Sequence, residues 1–512
     1  MPELPAVNPN IDSGFIPEGQ EREAPAETPV DLLSTLPVEV ISQIFCFACK
    51  PIGGNRIWQR DCTPLLFGRL SRRYRQYAWA TSELWATIVI RVNLSKLAAQ
   101  TELLEEWLAR TMGRPIDIYF QIKTLVSREW GLFLQPSNTN QPSIIPMIRL
   151  LAKHSPHWPC IDFYLPSLWY PIFTSFVNSE ADNDEVDWVT QTVSTNKPLD
   201  LPLLMSASFH RDGNIAPENR VNLDLTLAPS LRMLSLSRFQ MSPNVFKGID
   251  VKQITNLVCD QTFIPDVHDL LPWFPNLQEA TFHHTVFPAT TRRVRPQIIT
   301  HQKLRKRELR AYQGNLLILS QAIFPRLESL SIHVSSAMHY SRLFQRFINR
   351  DSNSHLTSLS LSCKLTREFD LIDVLSALDS LRELYIQDCS TEATPEFGLS
   401  RTFFDVLHPE EDSPYLPSLE VFTYEGNLVV QTIDFLEPLL IRSRMRDGSS
   451  GTYENLEKMA IMRKVKIQAD QVSNSAEFSI AEYPDTQYVW EVMMMMEQGI
   501  LELITLDGGL WE

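Results

Sequence analysis

The sequence predicts an α/β protein, with a small N-terminal helical unit followed by an irregular α/β solenoid. Three observations predict it. A chain of 512 residues is too long for one ordinary core and must divide into domains or stack repeated units. An amphipathic helical pattern starts just after a polar tail. Behind it, the spacing L-x-x-L-x-L recurs many times.

Residues 1–30 are rich in proline and glutamate with little apolar periodicity, which reads as a disordered tail. The stretch "LPVEVISQIF" at 36–45 then opens a helix. Pro37 suits the first helical position, where its missing N–H has no intrahelical partner. Glu39 falls at N3, placed to reach back to the N-cap amide and to complement the dipole. Val40, Ile41, Ile44, Phe45 and Ala48 follow at helical spacing as one apolar stripe. Lys50-Pro51 and Gly53-Gly54 end it.

Residues 63–90 read as two or three further short helices. Thr63-Pro64 is a start signal, Leu66, Leu70, Tyr74 and Tyr77 or Ala78 keep helical spacing, and Thr81 or Ser82 restarts the chain before Leu84 and Trp85. The helical unit thus spans 31–90, short for an independent core, so that a partner or neighbouring domain shares its burial.

From 91 to 512, and most clearly at about 200–470, the pattern is repetitive. Apolar side chains fill L-x-x-L-x-L at Leu231/Leu234/Leu236, Ile254/Leu257/Cys259, Leu277/Ala280/Phe282, Leu327/Leu330/Ile332, Leu356/Leu359/Leu361, Leu381/Leu384/Ile386, Leu419/Phe422/Tyr424 and Leu456/Met459/Ile461. First positions are separated by 23, 23, 50, 29, 25, 38 and 37 residues. The short intervals match the leucine-rich-repeat period; the 50 fits two periods with one unit degenerate or replaced by an insertion, and the last two require long inserts. In an extended x-L-x-L segment the leucines point into the core and the x positions face outward. Each unit is too small to bury its apolar face alone and stacks on its neighbours. Stretches 116–122, 158–165 and 219–227 read as earlier, degenerate strands, and 369–378 and 429–445 as helices between units. The competing reading is an ordinary α/β domain with Leu-rich strands.

Composition narrows the function. The chain is 44% apolar with a net charge of −15, which argues against general nucleic-acid binding and against adhesion to anionic membranes. Seven cysteines without a dense framework fit a reducing compartment. The N-terminus lacks the pattern of a secretory signal, and no run of about 18 apolar residues suggests a membrane span; the expectation is a cytoplasmic or nuclear protein. Cys46 and Cys49 form a C-x-x-C, but on a helix and without a second pair at zinc spacing. No H-E-x-x-H, P-loop, G-x-G-x-x-G or G-x-S-x-G motif occurs. No catalytic residue, metal ligand or cofactor is therefore assigned, and the expectation is a non-enzyme. His283-His284 reads as surface or packing, "EADNDEVD" (180–187) as a surface loop, and "MMMM" (493–496) as a buried or semi-buried helix turn. The stretch 292–310 holds eight Lys or Arg and one Glu; it reads as a solvated insertion or exposed helix face, with a nuclear-import signal or a contact for an acidic partner as the other reading.

"LPVEVISQIFCFA" with "TPLLFGRLSRRYRQYAWATSELW" resembles the F-box over residues 34–87, most closely as it occurs in fungi. The Leu-Pro start, the Ile-Phe pair, "SRRYRQYA" and the closing Leu-Trp match; Ser71 and Tyr74 replace the common Cys and Trp, and 51–62 lengthen the first loop. The ladder behind it resembles the degenerate leucine-rich repeats often fused to this motif. The resemblance implies a Skp-family adaptor as partner and, through it, a cullin–RING (SCF) ubiquitin ligase. It further implies an adaptor-facing first helix carrying Leu36, Pro37, Val40, Ile41, Ile44 and Phe45, with Leu65, Leu66, Leu70, Leu84 and Trp85 completing the surface or its support. The implied role is that of a non-catalytic substrate receptor whose repeats bind an unidentified target protein. The alternative is an adaptor-bound scaffold without ubiquitination output.

Overall fold

The computed structural model describes residues 35–49, 63–122, 144–166, 200–212, most of 225–284 and the elements of 298–504. The chain divides into two units. The described parts of the first are 35–49 and 63–81, and the second begins at Ser82.

The first unit is three helices: α1 (Val38–Ala48), α2 (Pro64–Leu70) and α3 (Arg72–Ala80). Pro37 proves to be the N-cap of α1 and not its first helical residue. A proline has no amide hydrogen, so Glu39 has nothing to reach back to and acts only on the dipole. Pro64 does occupy the first turn of α2. Ser71 separates α2 from α3 with an extended backbone, and its Oγ accepts from the Tyr74 amide at 3.0 Å, satisfying one donor that the helix start leaves open.

The second unit is a mixed α/β architecture in which helices flank a parallel sheet. Fourteen described strands follow one another in chain order: Thr87–Val92, Asp117–Ile122, Cys160–Pro166, Ser206–Asp212, Met233–Ser237, Asn256–Asp260, Glu279–His283, Lys306–Ala311, Ser329–Val334, Ser358–Cys363, Glu383–Asp388, Val421–Glu425, Lys464–Gln468 and Leu501–Ile504. Residues 82–90 thus belong here and not to the helical unit: Ser82–Trp85 is a 3-10 turn leading into the first strand. Parallel pairing needs a crossover between neighbours, and helices Leu97–Arg110, Ile145–Lys153, Val267–Trp273, Glu368–Leu375, Arg401–Leu407 and Thr486–Glu497 lie in those connections.

Side chains alternate as the pleat demands. Leu234 and Leu236, Leu257 and Cys259, Leu330 and Ile332, Leu359 and Leu361, and Leu384 and Ile386 are all buried in one continuous core. The first apolar residue of each unit, from Leu231 to Leu419, is buried just ahead of its strand. The 50-residue interval contains a strand of its own, Lys306–Ala311, whose motif reads Leu304/Arg307/Leu309. Leu277 to Leu304 is 27 residues and Leu304 to Leu327 is 23, so the period is kept. The spacing concealed it because an arginine stands where the pattern has leucine. The last five residues of the basic stretch, 306–310, are consequently part of a sheet strand, not a solvated insertion or an exposed helix face.

Two other expectations change. Residues 225–227 form a turn rather than a strand, the rest of 219–227 lying outside the described residues. Leu456, Met459 and Ile461 also lie outside them, and the strand of that region is Lys464–Gln468.

Three successive strands end alike. Arg238, Gln261 and His284, 23 residues apart, have φ of 65°, 49° and 48°, the left-handed region that L-residues enter at a cost of about 1–2 kcal/mol. Each amide donates at 2.8 Å to the last carbonyl region of the next strand, at Asp260, His283 and Arg310 respectively, so inter-strand bonding holds the turn.

Candidate docking surface

Helix α1 presents two adjacent stripes. Ile41, Phe45 and Cys49, four residues apart, are buried. Pro37, Val40, Ile44 and Phe47 form the other, exposed; Ile44 is 39% and Phe47 83% accessible. Leu66 and Leu70 on α2, Leu70 at 64%, and Trp79 on α3 add to the exposed apolar set. Scattered exposed apolar residues are ordinary, but their number on three short helices makes this unit the candidate interaction surface.

The buried stripe explains the unit's cohesion. Phe45 stacks on Phe67 with ring centroids 3.7 Å apart and meets the Tyr74 ring edge-on at 5.7 Å. Such pairs contribute about 0.5–1.5 kcal/mol beyond the area they bury. The Ser42 and Thr81 hydroxyls bond at 2.9 Å, tying α1 to the end of α3. Arg75 donates from Nε at 3.0 Å, and from Nη2, to the Gly68 carbonyl. A Cβ at Gly68 would meet Arg75 Nε at 3.3 Å, a tight contact that the arginine side chain would have to shift to relieve. Arg69, Arg72, Arg73 and Arg75 are exposed on α2 and α3, which gives the first unit a basic surface in an acidic chain.

The sequence-expected set therefore divides. Pro37, Val40, Ile44, Leu66 and Leu70 are exposed, and Leu36 and Leu65 half-buried. Ile41 and Phe45 are buried, so neither faces a visitor. Leu84 and Trp85 are buried in the second unit: Trp107 Nε1 donates to the Trp85 carbonyl at 3.0 Å, the two indoles meet edge-on at 4.9 Å, and Arg110 lies 4.6 Å over the Trp85 ring. Phe47, Val38 and Trp79 are exposed apolar residues that the sequence reading passed over. Phe47 was detectable, since it continues the Val40/Ile44 line by three residues.

No family model matches this chain, and no curated protein matches it.

The open face of the sheet is the second surface a partner can reach. In its middle, His283 Nε2 lies 3.0 Å and Arg310 Nε 2.8 Å from the same Glu308 oxygen, with His333 level with Arg310 on the next strand. The His283 contact first, and then Arg310, hold the Glu308 carboxyl below its ordinary value despite burial. Ser329, Ser331, Ser358 and Ser360 keep the adjoining two strands low and polar. On α1, Cys46 is half-buried and Cys49 buried. In the 486–497 helix Met495 is buried and Met493 exposed. Among the described residues no group of three His, Cys, Asp or Glu side chains is placed to hold a metal ion, and no helix is long and apolar enough to cross a membrane. The acidic run 180–187 lies outside the described residues.

Proposed function

We propose that this chain is a substrate-recognition subunit of an SCF-type ubiquitin ligase, itself without chemistry. On this reading the three-helix unit is an F-box that docks a Skp-family adaptor. The parallel ladder is a degenerate leucine-rich-repeat solenoid whose open face grips a target protein. The observation that carries the reading is the second stripe of α1: Pro37, Val40, Ile44 and Phe47 stay exposed beside a stripe that satisfies the unit's own core. A helix that needs only one apolar stripe for folding has another left for a partner's groove, where a few buried anchors supply most of the affinity.

Transfer of ubiquitin then gains from effective concentration, because one chain tethers both the ligase arm and the target. The test is affinity purification of the full chain beside a form lacking 31–81. Loss of an adaptor and its cullin from the truncated form, with other partners retained, supports the reading. Equal recovery of the adaptor by both forms refutes it.

A further inference from the structure

The hidden repeat unit carries a buried cation without a counter-charge among the described residues. Arg307 is 2% exposed, and none of its three guanidinium nitrogens has a hydrogen-bond partner. It sits on the inward side of its strand, level with Ala280 on one neighbour and Leu330 on the other. Strand alternation sends the adjacent Glu308 to the opposite face, where His283 and Arg310 take it. Burial alone depresses the Arg307 pKa, to about 9, with no acidic neighbour offsetting it.

Beside the guanidinium lie two aromatic rings, with a buried imidazole nearby. The Phe324 ring lies 4.7 Å and the Phe282 ring 5.7 Å from its central carbon. Ring faces attract the charge, but they do not replace the in-plane acceptors that five N–H donors require. His301, also buried, has one ring nitrogen 2.9 Å from the Phe274 carbonyl oxygen, while its Nδ1 has no partner. The charges felt at His301 are those of Arg307 and Lys303, both positive. An ionised group held this way is strongly unfavourable unless something negative accompanies it. Ala280, where most other units carry Leu or Phe, gives up the volume of at least three carbon atoms directly beside the arginine.

We infer that Arg307 is the centre of an interior anion site that takes a small inorganic anion, chloride or phosphate. The planar fork offers parallel donors to an oxyanion or converging ones to a halide, and the bound ion neutralises a repeat that carries an arginine where the pattern has leucine. This does not depend on the ligase reading, since the site serves the ladder whatever the ladder binds.

The experiment uses the full chain and follows thermal unfolding by circular dichroism. Sodium chloride and sodium phosphate are titrated separately against sodium gluconate, whose anion is too large for an interior site, at constant ionic strength. A saturable rise in Tm is expected with one or both small anions, about 3 °C when the anion reaches about a hundred times its dissociation constant. Comparison of the two arms identifies which ion. Arg307→Met, similar in length but uncharged, should abolish the dependence. If that variant does not fold, Arg307→Lys is read instead, and its half-saturation should move up at least about tenfold for loss of the fork. A wild-type Tm indifferent to both anions, or variants with the wild-type dependence, overturns the inference.

Discussion

Phe45 stacks face to face on Phe67 at 3.7 Å, whereas Ile44, one residue earlier, projects to solvent. One helical step of about 100° separates a residue that holds the unit together from one left for something else. Substitution at the two positions should therefore have opposite consequences, one for binding and the other for stability.

Val40→Asp with Ile44→Asp should leave the helical signal of the chain intact and abolish co-purification of the adaptor. Exposed substitutions of this kind usually shift stability by no more than about 0.5 kcal/mol each. Phe45→Ala should instead destabilise the three-helix unit by about 3–5 kcal/mol, because it removes a buried ring. Urea unfolding and pull-down together make the check; adaptor retained by the folded double variant counts against the docking stripe.

Ser71→Ala removes the cap of α3. The expected cost is about 1 kcal/mol, read by hydrogen exchange as faster loss of protection at the first-turn amides of α3, Tyr74 included. Unchanged exchange there means that the side-chain bond contributes nothing.

Gly426 follows the Val421–Glu425 strand with φ of 151°, and a Cβ built on it would lie 2.6 Å from Asp388 Cβ and 2.9 Å from the Tyr424 hydroxyl. Gly426→Ala should cost at least about 2 kcal/mol, combining backbone strain with a contact that must shift. A urea midpoint equal to wild type would show that this turn relaxes freely.

Glu308 links the ladder to acid stability. Its carboxyl titrates lower in the folded chain than the ordinary value near 4.3, chiefly through His283. A depressed carboxyl binds fewer protons folded than unfolded, so its stabilisation is full above the unfolded value and is lost as pH falls through the folded one. Glu308→Gln should lower Tm above about pH 4.3, where that stabilisation is full, and flatten the acid limb below it, the two curves converging at low pH. An identical acid limb in both proteins would remove this role.

Much of the ladder was legible in advance, and the reason is period. Wherever Leu, Ile or Phe occupied the inward positions, as at Leu359 and Leu361 or Leu384 and Ile386, the strand fell where its spacing placed it. The Lys306–Ala311 strand escaped because Arg307 occupies a core position and the surrounding charges imitate a solvated segment. The strand Thr87–Val92 escaped because a run of helices before it made the helical unit look longer than it is.

Of the docking helix, the sequence by itself determined that apolar residues recur on one side at helical spacing, since periodicity depends only on which residues follow which. It did not determine which of those residues are consumed inside. Ile41 and Phe45 look no different from Val40 and Ile44 along the chain, and only the positions of Phe67 and Tyr74 decide that one pair is core and the other surface. The same holds for Arg307: its charge is written in the sequence, but its separation from the adjacent Glu308 carboxylate follows from strand alternation and register. Local pattern sets the elements, and contacts between residues distant in sequence set what each side chain meets.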